Sequence, residues 1–155
     1  AFSSYWNANY GSSVIQAITF GQGGSTPIPT LVNISDTTTS NYIRINSSTT
    51  YGSRLFVVNS AATQVNSTTG AAPIDGQKFR IAAAWKSNDF GLSYNGGAAA
   101  NTASGLVPAV TQFVLGNWFT SASTFLNGHI QTFGYYNQRL PNATLATKST
   151  VDSSL

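Results

Sequence analysis

Apolar and polar residues alternate most regularly between positions 78 and 94. In Lys78-Phe79-Arg80-Ile81-Ala82-Ala83-Ala84-Trp85-Lys86, the side chains of Phe79, Ile81, Ala83 and Trp85 fall on one face of a strand. After Ser87-Asn88-Asp89, the run Phe90-Gly91-Leu92-Ser93-Tyr94 aligns Phe90, Leu92 and Tyr94 in the same way. Asn95-Gly96 follows, a strong hairpin signal because both central residues of a type I′ turn need positive φ. The period of two recurs along the chain. It predicts a strand in Val14 to Phe20, between Gly11 and Gly21, and a hairpin of Thr30 to Asp36 with Asn41 to Asn46 around Thr37-Thr38-Thr39-Ser40. Leu55 to Val58 and Thr111 to Gly116 read as strands, Ala61 to Asn66 as a weaker one, and Asn66-Ser67-Thr68-Thr69-Gly70 as a loop. A long last strand follows the Asn127-Gly128 turn, with Ile130, Thr132 and Gly134 on one face and Gln131, Phe133 and Tyr135 on the other. It leaves through a polar turn closed by Pro141. About ten to twelve turn-bounded strands argue two stacked antiparallel sheets.

Composition sharpens this all-β reading. Charged residues make up 7% of the 155 and aromatic ones 12%, with no methionine, cysteine or glutamate, so long helices built on Glu–Lys pairs are not expected. A chain of this length buries roughly 70% of its unfolded surface around one core, and no linker interrupts it. Without cysteine there are no disulfides or thiolate metal sites. The net charge of +3 comes from four arginines and three lysines scattered along the chain, so no nucleic-acid footprint is expected. No run approaches 18 apolar residues, so no membrane insertion is expected. The start at Ala1, without a methionine, suggests a fragment or a processed product.

Two stretches carry a resemblance. Residues 127–140 read N-G-H-I-x-x-F-x-Y-Y-N-x-R-L and are followed by P-N-A-T-L; residues 78–97 fit K-x-x-[IV]-A-x-[AS]-[YW]-K-x-N-D-F-x-x-S-x-N-G-G. Both resemble motifs of concanavalin A-like, laminin-G-like jelly rolls in bacteriophage virion and tail proteins. Trp6-Asn7 and Gly11-Ser12 fit the opening motif of that family loosely, with Tyr10 where a glutamate is usual. The resemblance implies a two-sheet antiparallel jelly-roll sandwich over residues 1–155, as the terminal domain of a longer virion protein. It also implies a non-catalytic adhesion module on the virion surface or outside cells, binding host-surface glycans from a tail fibre, spike or capsid appendage. The alternative is a decoration domain contacting other virion subunits, a homotrimer being one such arrangement.

Candidate chemistry is sparse. Glycoside hydrolysis needs two carboxylates flanking the bond, whereas the four aspartates, Asp36, Asp75, Asp89 and Asp152, are far apart in sequence. The chain lacks G-x-S-x-G, and His129, the single histidine, reads as a positioned polar residue or, alternatively, a ligand or pH-sensitive group. Gly21-Gln22-Gly23-Gly24 lacks the Lys-Ser/Thr pair of a phosphate loop. A calcium ion would have Asp89, Asn88 and Asn95 as its only candidate ligands; an Asx-type turn explains them better, so no cofactor is expected. The aromatics are the stronger signal, because sugar rings stack their C–H faces on exposed Trp or Tyr. Trp118 and Asn117, in the loop after Gly116, are the first candidates for carbohydrate binding, with Trp6 and Tyr10 second. For Trp118 a loop anchor or subunit contact is the competing role, while Trp85 continues the core face of its strand.

Overall fold

The structure, a computed structural model, describes residues 4–20, 28–48, 52–118 and 124–154. The fold turns on β1 (Tyr10–Thr19), which pairs on one side with β6 (Lys78–Lys86) and on the other with β10 (Gly128–Tyr136), both antiparallel. β7 (Phe90–Tyr94) and the short β8 (Ala100–Thr102) complete this β1 sheet, in the order β10-β1-β6-β7-β8. The facing β3 sheet is built from β2 (Thr30–Ser35), β3 (Tyr42–Ser48), β4 (Gly52–Asn59), β5 (Ala62–Thr69) and β9 (Gln112–Leu115), in the order β5-β4-β3-β2-β9. The result is the expected two-sheet antiparallel jelly-roll sandwich of the concanavalin A-like, laminin-G-like type.

The core follows the period of two. Ile15 and Ala17 of β1, Phe79, Ile81, Ala83 and Trp85 of β6, and Phe90 and Leu92 of β7 meet Ile34, Ile43, Ile45, Leu55 and Val57 of the β3 sheet. Trp85 is fully enclosed, as its place in the β6 pattern predicts, and Gly11 makes room for it: a Cβ there would stand 2.8 Å from the indole. β6 and β7 match their predicted bounds, and Asn95 and Gly96 adopt φ of 47° and 80°, as the turn signal requires.

Two expectations are corrected and one strand is added. Asn66-Ser67-Thr68-Thr69 is not a loop but the second half of β5, held by pairing with β4 from Phe56 back to Ser53. β8, only three residues long, has no run from which a period could be read. In β10, Ala17 faces Ile130 while the next residue back, Gln16, faces Thr132, so Gln131 is an extra residue, a β-bulge. The bulge flips the alternation, and Ile130 therefore packs on the core together with Phe133 and Tyr135 instead of opposite them.

The outer face of the β1 sheet is finished by the end of the chain. Arg139 leaves β10 and bonds through one Nη to Asp89 Oδ1 and Asn142 Oδ1, both at 2.7 Å, tying the strand exit to the β6–β7 turn. The helix α1 (Asn142–Lys148) then lays Leu145 over Val14, Ala82 and Ala84. Gly91 permits the close approach, since a Cβ there would lie 2.8 Å from a Leu145 methyl.

Candidate functional site

The predicted sugar-binding residues separate in space. Trp6 lies half-buried at the β1 sheet, stacked on Trp85 and Tyr135 with ring centroids 6.0 and 5.4 Å apart. Tyr10, 36% exposed, opens β1 opposite Lys86. Asn117 and Trp118 follow β9 instead, and Trp118 reaches the outer face of the β3 sheet. Of the loop that Trp118 was expected to share, residues 119–123 lie outside the described residues, as does Gly21-Gln22-Gly23-Gly24.

On that outer face the register assembles what no single strand announces. Alternation turns Ile43 and Ile45 of β3 into the core and Tyr42, Arg44 and Asn46 away from it. Arg44 stands between Asn33 of β2 and Phe56 of β4, and Asn46 between Thr30 and Arg54. The Arg44 guanidinium carbon lies 4.3 Å from the centroid of the Trp118 ring, 5.6 Å from that of Phe56 and 5.7 Å from that of Tyr42. A cation over an aromatic face is attracted by the ring quadrupole by about 0.5–2 kcal/mol, more as water is removed. Arg54 lies 4.1 Å from the Phe56 ring centroid and donates its Nε–H to Asn66 Oδ1 at 2.7 Å.

The electrostatics of this face are one-sided. Burial holds the Arg44 pKa below its ordinary value, Tyr42 opposes that shift and Arg54 adds to it. Burial likewise raises the Tyr42 hydroxyl, with Arg44 and Arg54 pulling the other way. No carboxylate contributes to either balance. The single ion pair among the described residues, Arg139 with Asp89, belongs to the β1 sheet. Polar atoms on this face also have no hydrogen-bond partner among the described residues: Arg44 Nε, Asn33 Oδ1, both amide atoms of Asn46, Thr30 Oγ1 and Trp118 Nε1 are buried without one, as is Asn117 Oδ1 just after β9.

The remaining candidates are dispersed. Asn88 Oδ1 accepts from the Gly105 N–H at 3.2 Å, Asn95 Oδ1 accepts from the Arg80 N–H at 2.7 Å, and Asp89 holds Arg139. Asp89 and Asn95 flank β7 at opposite ends, with five strand residues between them, a span of roughly 20 Å. No group of three His, Asp or Glu residues gathers among the described residues. Asp36 accepts from the Thr38 hydroxyl and the Asn41 amide; these bonds, the Thr38 one foremost, hold its pKa below the ordinary aspartate value. Asp152 accepts from Ser154. His129 is exposed and meets Phe20 edge-on at 6.0 Å.

Sequence reasoning reached Trp118 but not Arg44, Tyr42, Phe56 or Asn46. The available signal was the outward set of the β3 strand, Tyr-x-Arg-x-Asn, which is bulkier and more functional than the Ser and Thr that dominate the chain.

Comparisons with known proteins agree with the architecture. Neither a family model nor a curated protein matches the chain. Among solved structures, it is similar to the CBM40 module of the Ruminococcus gnavus IT-sialidase bound to alpha2,3 sialyllactose, with a TM-score of 0.73 and 15% identity over 92% of this chain and 83% of that one. The heptameric SAP-like pentraxin of Limulus polyphemus gives a TM-score of 0.68 at 10% identity, over 92% and 70% of the two chains. Domains LG4-5 of the mouse laminin alpha1 chain give 0.65 at 10% identity, over 87% and 37%. At such identities the likeness is one of fold: the chain folds as a jelly-roll, lectin-like domain.

Proposed function

We propose that the chain is a non-catalytic glycan-binding module, working at the surface of a phage particle as the terminal adhesion domain of a longer virion protein. The observation that carries the binding reading is the outer face of the β3 sheet. There half-buried Trp118 and Phe56 supply ring surfaces beside Arg44, half-buried Arg54 and the exposed amide of Asn66. That combination suits sugars, whose C–H faces stack on aromatic rings while their hydroxyls exchange hydrogen bonds with amides and guanidinium groups. The module of similar fold in the Ruminococcus gnavus sialidase is seen with sialyllactose, which supports the same class of partner here. The phage setting rests on the motif resemblance at residues 78–97 and 127–140. A catalytic role is disfavoured by the chemistry of the carboxylates, since Asp36, Asp89 and Asp152 are each engaged in a turn or an ion pair and the chain has no glutamate.

The test is a glycan array and whole-cell binding with the domain displayed in many copies, because single sugar sites are weak and avidity raises the signal. Binding is expected for the wild type and is lost in Trp118→Ala, checked for folding by its thermal transition. An absence of binding to any glycan or cell in this format overturns the reading and leaves contacts with other virion subunits as the role of the face.

A further inference from the structure

We propose that Arg44 is the anchor of a subsite for the carboxylate of an acidic sugar, seated on the outer face of the β3 sheet against Trp118. This inference deepens the glycan-binding reading and rests on it. Its starting point is an imbalance of charge. Arg44 is 6% exposed, and among the described residues it has neither a hydrogen-bond partner nor a carboxylate facing it. A guanidinium keeps its charge at any physiological pH, and burying such a charge costs much unless it is paired and hydrogen-bonded. The three rings around it offset part of that cost by attraction to their faces, yet rings accept no N–H bond in the plane of the fork.

The surrounding polar atoms point the same way. Buried polar groups are nearly always bonded, so a cluster of exceptions calls for a partner there, an ordered water or a ligand. Asn33 is directly opposite Arg44 in the register, and Asn46 is the next outward residue along the same strand. Both amide atoms of Asn46 and the Asn33 oxygen have no partner, and neither residue is exposed. Together they form a polar patch beside Arg44 on the same sheet face. Of the Arg44 nitrogens only Nε is among the buried unpartnered atoms, so its two terminal nitrogens keep their way to the surface. At that surface lie half-buried Trp118, Phe56 and Arg54 and exposed Asn66. A sugar carboxylate at the fork would supply the missing anion and accept N–H bonds, while Trp118 would cover the ring that carries it. Arg54, one row along the face, adds a second positive charge and disfavours a cationic ligand at the same place.

The experiment compares sialyllactose with lactose, and a uronic-acid-ended oligosaccharide with its neutral counterpart, for the displayed domain and for Arg44→Met. The wild type is expected to prefer at least one acidic member by about tenfold or more, the scale of a charged hydrogen-bonded pair, and which member it prefers tells a sialate from a uronate. Arg44→Met, which keeps the stem but not the charge, brings that ratio close to one. Arg44→Lys, a charge without the planar fork, falls between. A second measurement needs no variant: the Arg44 Nε–H resonance of the wild type shifts on titration with the preferred acidic sugar and not with its neutral counterpart. Equal binding of acidic and neutral glycans by the wild type overturns the subsite and leaves the glycan-binding reading standing. So does an acidic preference that survives Arg44→Met, or an unmoved Nε–H resonance. Failure to bind any glycan overturns both.

Discussion

Gln16 and Asn46 are both side-chain amides with no exposed surface, each on the outward face of a central strand, and their surroundings could hardly differ more. Gln16 donates to Gln131 Oε1 and to the Asp152 carbonyl, each at 3.1 Å, and accepts from the Asp152 N–H at 2.8 Å. Asn46 has no partner for either amide atom. The contrast extends over both faces. On the β1 sheet the last residues of the chain return to complete it: Ser12 bonds to Gln138 and Leu140, Ser93 to Ser149, and Leu145 closes the apolar patch. On the β3 sheet Arg44 and the Asn46 amide are enclosed without a hydrogen-bond partner among the described residues, and Asn33 has one, Ser35 Oγ, for its Nδ2 alone. The β1 face is closed largely by the chain itself, with Arg80 Nε, Thr132 Oγ1 and Arg139 Nε as its exceptions; the β3 face encloses a cation and a whole side-chain amide that have no hydrogen-bond partner among the described residues.

Three substitutions test that difference in folding free energy. Leu145→Ala should have the largest effect, a loss of about 2–5 kcal/mol by denaturant unfolding, because it removes the one buried side chain by which α1 holds the β1 sheet. A loss well below that range would mean that the helix merely rests on the sheet. Next comes Ser149→Ala. The Ser149 hydroxyl bonds to Ser93 Oγ at 2.8 Å, to the Gly96 N–H at 2.9 Å and to the Ala146 carbonyl at 3.0 Å. Stranding these partners costs about 1–3 kcal/mol. The smallest effect, with the opposite sign, belongs to Asn46→Leu. Replacing an amide that has lost water and gained no bond with an apolar side chain of similar size leaves stability unchanged or raises it by about 1 kcal/mol. A fall in the melting temperature as large as that of Ser149→Ala would show that Asn46 is satisfied after all, and the contrast between the faces would break.

How much of this could be read from the chain depends on whether the information is local. β6, β7 and the Asn95-Gly96 turn are legible because a period of two and a positive-φ pair are properties of neighbouring residues. The bulge at Gln131 is not, since it exists only relative to β1. Polar Ser67 to Thr69 resemble a loop and become a strand because β4 offers them a ladder. The site divides in the same way. Trp118 is visible as a large aromatic after a short strand, whereas Arg44 is one polar position among many in an alternating strand. It becomes notable only when the register sets it beside Asn33 and Phe56, and when burial removes its water.

The pairing of β1 also bears on how the molecule comes into being in time. Four strands of the β3 sheet, β2 to β5, follow one another in sequence as a meander, so their ladders close over short loops as soon as each strand exists. β1 has no neighbour of that kind. Its partners, β6 and β10, lie far along the chain, and their long loops must close before any contact rewards the closure. A nascent chain therefore carries β1 with both edges open until β6 arrives and with one open until β10 does. By topology the meander that bears Arg44 assembles early, and the sheet that begins and ends the chain sets the pace of folding.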